Sequence, residues 1–253
     1  MSSDQPVLFI DLHGVLVNTP IIFEEYRRIT IEHLMTHFGL NEISAKRRYD
    51  TAMEIWEKYA FDYLRDPTKE KVGSKFLEFL EFCDKIFPQT LYQDLKISAD
   101  CTELRTRPFE FSVAQKVKAL YPEVKDTLNR LIAHGYDMHV ASSSHSSHIK
   151  GILKGNDIEE YFGNVFGFDT VAATKHTLKF YKKMLSKVNA DPKTSIMIGN
   201  SMHEVIKPKK IGMLTIHINR ERKVPLNIRK MANYSLMDIA SLPIHLDTIQ
   251  IVQ

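Results

Sequence analysis

Val7-Leu8-Phe9-Ile10-Asp11-Leu12-His13-Gly14 is the stretch on which the fold turns. Four consecutive apolar residues, bounded by Pro6 before them and by an acid and a glycine after, read as a short buried strand. Asn18-Thr19-Pro20 follows closely, supplying a capping residue and a proline at the first helical position, and the amphipathic stretch it opens runs to about Phe38, where Gly39 ends it. A strand that passes at once into a helix is the first step of a β-α unit.

Moving outward, the pattern turns helical for a long interval. Apolar and aromatic residues recur at three- and four-residue spacing from Ser44 to about Tyr63 and again from Thr68 to about Asp84. Between Ile97 and Ser112 the periodicity weakens into a return linker holding Arg105, Arg107 and Pro108. After Pro122 strand and helix alternate: helix Pro122 to His134, strand Asp137 to Ala141, helix Ser146 to Lys154, strand Asn164 to Phe168, helix His176 to Val188, strand Ser195 to Ile198, helix Glu204 to Ile211 and strand Leu214 to Ile218. Such repetition predicts an α/β fold, a Rossmann-like parallel sheet covered on both faces with right-handed crossovers, and an inserted α-helical domain. The expected boundaries are residues 1–17 and 112–253 for the sheet core and 18–111 for the helical insertion with its return linker.

Composition narrows the function classes. The chain has 253 residues with 43% hydrophobic content, enough for one large core or a core and a satellite. Its 34 basic and 31 acidic residues nearly cancel to +3, so no polyanion-binding field and no nucleic-acid partner are implied. The cluster Lys207, Lys209, Lys210 reads as a solvated helix face. Only Cys83 and Cys101 occur, without the spacing of a metal knuckle or a disulfide framework, which points to a reducing compartment. No run approaches the roughly 18 to 20 apolar residues that span a bilayer, and the first residues lack a leader pattern, so a soluble, cytoplasmic protein without a membrane partner is expected.

Four polar positions lie at or just after the ends of separate strands: Asp11, Ser142, Lys175, and Asn200 with Glu204. Ligands in parallel sheets gather at those ends. Read as FIDLHGVL, VASSS, TKHTLKFY and IGNSMHE, the set resembles the haloacid-dehalogenase (HAD) superfamily, whose members show an Asp-x-Asp-Gly turn, a strand-end Ser or Thr, a Lys, and a Gly-Asp-Ser-x-x-Asp segment. The likeness covers nearly the whole chain, and the helical insertion falls where that family places a cap.

The resemblance implies that Asp11 is a carboxylate nucleophile, able to form a covalent intermediate that water later hydrolyses. It implies that Ser142 binds a phosphoryl or carboxylate oxygen and that Lys175 neutralises developing charge, with Gly14, Ser143 and Ser144 lining the substrate. Ser143 or Ser144 is also a fitting cap for the next helix, and Lys179 lies one helical turn from Lys175. The pattern breaks twice. His13 stands where the family's phosphatases carry a second Asp, either as an acid/base with a reference pKa near 6.5 or as an idle replacement. Asn200 replaces the first acid of the last segment and Glu204 the second. A Mg²⁺ cofactor held by Asp11, the His13 carbonyl, Asn200 and Glu204 is implied, in a cradle weakened by the neutral amide.

Three functions follow from these residues. The leading expectation is a HAD-like hydrolase, a phosphatase acting on a small phosphorylated compound through an aspartyl-phosphate intermediate, attenuated by the two replacements. A catalytically inactive HAD-like protein that binds a phosphorylated or other anionic ligand is the second. The third is a metal-independent dehalogenase-like hydrolase, against which Val15 counts, and for which Arg47, Arg48 and Arg65 are the candidate cap arginines. The cap is expected to gate the pocket, with hinges near Val17 to Thr19 and Ser112 to Tyr121. Trp56, Tyr59, Phe61 and Tyr63 form its densest aromatic group, a pattern that belongs first to core packing.

Overall fold

The computed structural model describes residues 5–65, 78, 79, 81, 82, 85, 87–96, 106–220 and 231–249. The opening apolar run forms strand β1 (Val7–Ile10), buried from Leu8 onward. β2 (Met138–Ala141) and β4 (Ser195–Gly199) flank it and are buried along their whole length. With β3 (Asn164–Phe166), β5 (Leu214–Ile218) and β6 (Tyr234–Leu236) they make one sheet of order β3-β2-β1-β4-β5-β6. Every neighbouring pair in it is parallel. The chain fills one side of β1 and then crosses to β4 on the other, so the strand order reverses beside β1, where ligands of such sheets bind.

Among the described residues the named helices, in chain order, are α1 (Thr19–Phe38), α2 (Glu42–Arg65), α3 (Phe87–Leu91), α4 (Thr106–Lys116), α5 (Val124–Ala133), α6 (Ser146–Gly155), α7 (Phe168–Val171), α8 (Leu178–Lys187), α9 (Met202–Lys209) and α10 (Leu242–Thr248). α5 and α8 turn an apolar stripe inward: Val124, Leu128 and Leu131 from the first, and Phe180, Tyr181, Met184 and Leu185 from the second, are buried. Phe9, Phe166, Met197 and Met213 join the α8 residues in one cluster.

Two compact units result: residues 1–19, 119–146 and 157–253, which hold the sheet, and residues 20–118 with 147–156, which are helical. These limits differ from the sequence boundaries at 18–19, 112–118 and 147–156. The return linker expected over 97–112 becomes helix from Thr106, because Pro108 falls in the first turn, where its missing N–H is harmless. Phe109, Val113, Ala114 and Val117 then recur on one buried side. In the helical unit Gly151 and Gly155 of α6 meet this helix with no room for a side chain, since a Cβ on Gly155 would collide with the Gln115 carbonyl. The Asn156 amide donates to the Val117 carbonyl at 3.0 Å, and Tyr26 Oη lies 2.7 Å from His148 Nδ1.

Other expectations shift more modestly. The strand read to Phe168 stops at Phe166, and Phe168 begins a helical turn after Gly167. β6 and α10 carry too few residues to show a period and were absent from the sequence reading. The helix expected from Thr68 to Asp84, Cys83, Cys101, Arg105 and the side chains of Phe61, Tyr63, Arg65 and Arg107 lie largely or wholly outside the described residues. Among the described residues, no helix is long and apolar enough to cross a membrane.

Candidate active site

Register decides which residues can meet. Ile10 is level with Val140 on one side and Ile198 on the other, so Asp11, Ser142 and Asn200 leave the sheet at neighbouring places on its carboxyl edge. The Asp11 N–H donates to the Ile198 carbonyl at 2.9 Å, and the residue is buried.

Lys175 arrives from the loop before α8. Its ammonium donates to Asp11 Oδ1 at 2.6 Å and to the Ala141 carbonyl at 3.1 Å, and it pairs with Glu204 Oε1. One cation thus joins the ends of β1 and β2 to the start of α9. Lys179 is exposed. Glu204 turns its other oxygen, Oε2, to the N–H groups of Asn200 and Ser201, both at 2.8 Å, closing a capping box on its own helix. Gly199 makes room for this, because a Cβ there would collide with the Glu204 carboxylate.

The turn after β1 is shaped by Gly14, at φ +76°, whose N–H donates to the Val17 carbonyl at 2.8 Å. A Cβ at Gly14 would strike the Asn200 side-chain amide, so only glycine satisfies both the left-handed backbone and the close approach. Arg220, which the sequence reading passed over, secures the same turn: it donates to the carbonyls of Gly14 at 3.2 Å and Val15 at 2.7 Å, with its guanidinium 3.6 Å from the Tyr121 ring centre. Nothing periodic marks Arg220; its position just past the end of β5 is the only signal.

The second loop meets the first through His13, whose Nε2 lies 3.2 Å from Ser144 Oγ. Ser142 is buried, its N–H donating to the Phe166 carbonyl at 2.9 Å and its Oγ accepting the Ser144 N–H at 3.3 Å. Ser143 is half-buried beside them. Asp169, also passed over, contacts Ser146 at the foot of this loop. Of the arginines considered for the insertion, Arg47 and Arg48 line a cavity of about 340 Å³ in the helical unit with Ser44, Thr51 and Thr90. Tyr59 in that unit is exposed and stacks on Phe82 at 4.4 Å.

Burial governs the charges. It pushes Asp11 well above the usual carboxylate range, the Glu204 charge adds to this, and Lys175 opposes both. Burial also works against charge on Glu204, but Lys175 and the Ser201 N–H outweigh it and hold this carboxyl low. Lys175 is raised, since Asp11 and Glu204 together overcome its own burial. His13 is brought down to about 4 by burial and by the Lys175 charge. Glu204 is therefore the firmly ionised acid, and Asp11 the one that most readily holds a proton.

Donor chemistry decides how a divalent cation would fit. Glu204, expected among its ligands, has both oxygens engaged by Lys175 and by the two backbone N–H groups. Asp11 is left as the single available carboxylate, with the His13 main-chain carbonyl and the Asn200 amide that overhangs the turn. Mg²⁺ accepts one or two carboxylates together with substrate and water oxygens, so this set fits a weak, substrate-assisted site.

Comparison with known proteins agrees with the fold. Residues 7–218 match a family model described as haloacid dehalogenase-like hydrolase. The chain is 28% identical over 138 residues to the probable phosphatase IndB of Dickeya dadantii (strain 3937), covering 53% of this chain and 60% of that protein. It spans the same 60% of the length of the phosphoglycolate phosphatase of Vibrio vulnificus (strain CMCP6). Among solved structures, the 2-haloacid dehalogenase of Pseudomonas syringae pv. Tomato DC3000 superposes with a TM-score of 0.64 at 15% identity, covering 96% of this chain and 99% of that one, a likeness of fold.

Proposed function

The chain belongs to the haloacid dehalogenase-like hydrolase family, and from that premise we propose that it hydrolyses a small phosphorylated compound through an aspartyl phosphate on Asp11. The observation that carries this reading is the buried Asp11–Lys175 contact of 2.6 Å at the carboxyl end of β1. Phosphatases among the sequence relatives support the choice of substrate class.

With Lys175 on Oδ1, Oδ2 is the attacking oxygen. It forms a bond to phosphorus as the ester P–O bond breaks, and the leaving oxygen takes a proton from His13. The Ser142 and Ser144 hydroxyls and the Lys175 ammonium face the phosphoryl oxygens, where fixed donors stabilise developing charge. His13 is neutral at rest, so an arriving phosphate dianion is what favours its protonated form. In the second half His13 takes a proton from water, the water oxygen attacks phosphorus, and the phosphorus–Asp11 bond breaks to release inorganic phosphate. A Mg²⁺ held by Asp11, the His13 carbonyl and Asn200 would neutralise phosphoryl charge.

The test is a panel of phosphorylated metabolites assayed with and without Mg²⁺, beside an Asp11→Asn variant. Turnover that disappears in the variant is expected; undiminished turnover in Asp11→Asn sinks the reading. A second reading, a binding protein without turnover, is favoured by the two engaged oxygens of Glu204 and the neutral His13. Phosphate binding with no turnover across the panel would select it, whereas halide release from 2-haloacids in EDTA would select a dehalogenase instead.

A further inference from the structure

Asp169 is a heavily engaged side chain beside the Ser142–Ser144 loop that the proposed chemistry leaves unused. Its Oδ1 accepts the Ser146 N–H at 2.9 Å, and its Oδ2 accepts the Ser146 hydroxyl at 2.6 Å and lies 3.1 Å from His145 Nε2. Its side chain is 19% exposed and that of His145 11%.

Helix geometry explains why this carboxylate is needed. Ser146 is the first residue of α6, whose leading N–H groups have no partner within the helix. A cap ordinarily comes from the residue just before, but here that residue is His145, a poor one. The acceptor is supplied from 23 residues further along the chain, with a negative charge that also complements the helix dipole.

The surrounding contacts repeat the same linkage. Ser142 donates its N–H to the Phe166 carbonyl at 2.9 Å, Ser144 accepts the Phe168 N–H at 3.3 Å, and Ser146 is held by Asp169. Every second residue of the loop is therefore tied to the end of β3 or the segment after it, continuing the β2–β3 pairing beyond the strands. Gly167 permits the close approach, since a Cβ there would fall 2.6 Å from the Ser144 carbonyl and 2.9 Å from the Ser146 nitrogen.

We infer that Asp169 is a positioning residue that fixes the Ser142–Ser144 loop for an anionic phosphoryl group, acting through Ser146 and His145 without touching substrate. The inference rests on the proposed role of Ser142 and Ser144 as the groups that face phosphoryl oxygens. Removing the carboxylate leaves the loop joined to the sheet but lets its far end move, and small misplacements of binding groups act strongly on transition-state affinity.

The experiment compares the full-length protein with Asp169→Ala and Asp169→Asn. Amide hydrogen exchange over residues 142–148, the affinity for inorganic phosphate by calorimetry, and kcat and KM on the best substrate of the panel are measured. In Asp169→Ala, exchange rises over 142–148 but not over β1, and phosphate affinity and kcat/KM fall by about tenfold to a hundredfold, chiefly through KM. Asp169→Asn keeps an acceptor for the Ser146 N–H and lies between, and it carries the test if the alanine variant does not fold. Unchanged loop exchange overturns the inference, and so does a loosened loop with unchanged phosphate affinity. A wild-type protein that neither binds phosphate nor turns over any substrate defeats the proposed function instead, while the exchange data still decide whether Asp169 holds the loop.

Discussion

Replacing Lys175 with Met removes the ammonium while keeping much of the side chain's length, and so tests what lets two buried carboxylates sit together. Lys175 contacts both Asp11 and Glu204, and the three side chains are 5%, 6% and 1% exposed, so water screens little of the interaction. Breaking a buried pair by removing one partner destabilises by about 3–5 kcal/mol. Here the removal strands two acids, but either can take a proton and limit the penalty, so about 3–5 kcal/mol near pH 8 is the expected loss. Proton uptake gives the effect a pH signature. Burial and Glu204 already raise Asp11, and without Lys175 nothing opposes them. A carboxyl whose folded pKa is raised keeps its stability below its unfolded value and loses it as the pH rises through the folded one. Glu204, held low in the wild type, contributes stability above its ordinary value that the variant lacks. The Glu204 part of the deficit is already complete by about pH 5, and the Asp11 part makes the deficit grow between about pH 5 and pH 8. Urea unfolding at the two pH values measures it; with a denaturant slope of about 1–3 kcal/mol/M the midpoint near pH 8 falls by roughly 1–5 M. A deficit below about 1 kcal/mol, or one equal at both pH values, would refute the reasoning.

Gly14→Ala combines a left-handed backbone with a collision against Asn200, and a loss of about 2–4 kcal/mol is expected in thermal unfolding, part of it restored by adding Asn200→Ala. Gly155→Ala gains about 1 kcal/mol of helix propensity, but its Cβ meets the Gln115 backbone, which yields little, so a net loss of about 1–3 kcal/mol is expected in the same assay. His13 is neutral in both folded and unfolded chains above its ordinary pKa; as the pH falls from 6.5 to about 4 only the unfolded chain takes the proton, removing up to about 3 kcal/mol. His13→Gln should therefore lose less stability than wild type between about pH 7 and pH 4.5 in urea unfolding. Asn200→Asp adds an acid above the Gly14 turn, so Mg²⁺ should raise its melting temperature more than that of wild type, with about tenfold tighter apparent binding, and an equal rise in both proteins would count against Asn200 as a ligand.

The parallel sheet was legible because β1, β2, β4 and β5 are nearly unbroken apolar runs, a pattern that survives without knowledge of neighbours. β6 has three residues, only one of them buried, and takes its identity from hydrogen bonds to β5 that sequence does not display. The positions of Asp11 and Ser142 were legible for the same topological reason, since strand ends on one sheet must share an edge, whereas Lys175, in the loop before α8, was indicated by the resemblance. What each side chain touches was less so. Glu204 was expected as a metal ligand from the resemblance, by its place in the last family segment, yet its reach lets one carboxylate serve its own helix start and Lys175 together. Asp169 and Arg220 were missed because both act on backbone groups of distant loops, contacts that leave no period or motif. The return linker concealed a helix because Pro108 reads as a break unless it is known to lie in a first turn.

The two departures from the family pattern make one electrostatic change. A four-acid cradle around a single lysine would carry a net negative charge that a divalent cation must offset before an anion can enter. Here Asn200 and His13 are neutral, and Glu204 neutralises Lys175 from a fixed position, so the charge of the cluster depends on whether Asp11 is ionised. With Asp11 protonated the cluster is close to neutral and presents donors from Ser142 and Ser144; with Asp11 ionised it carries one negative charge at the atom that must attack. An incoming phosphoryl group repels that second charge and favours the protonated acid, which binds but does not react. Lys175 and any bound cation work in the opposite direction, and Lys175 is shared with Glu204. Under the proposed function, then, the step most exposed to failure is ionisation of Asp11, and anion binding and turnover would be separable properties of one site.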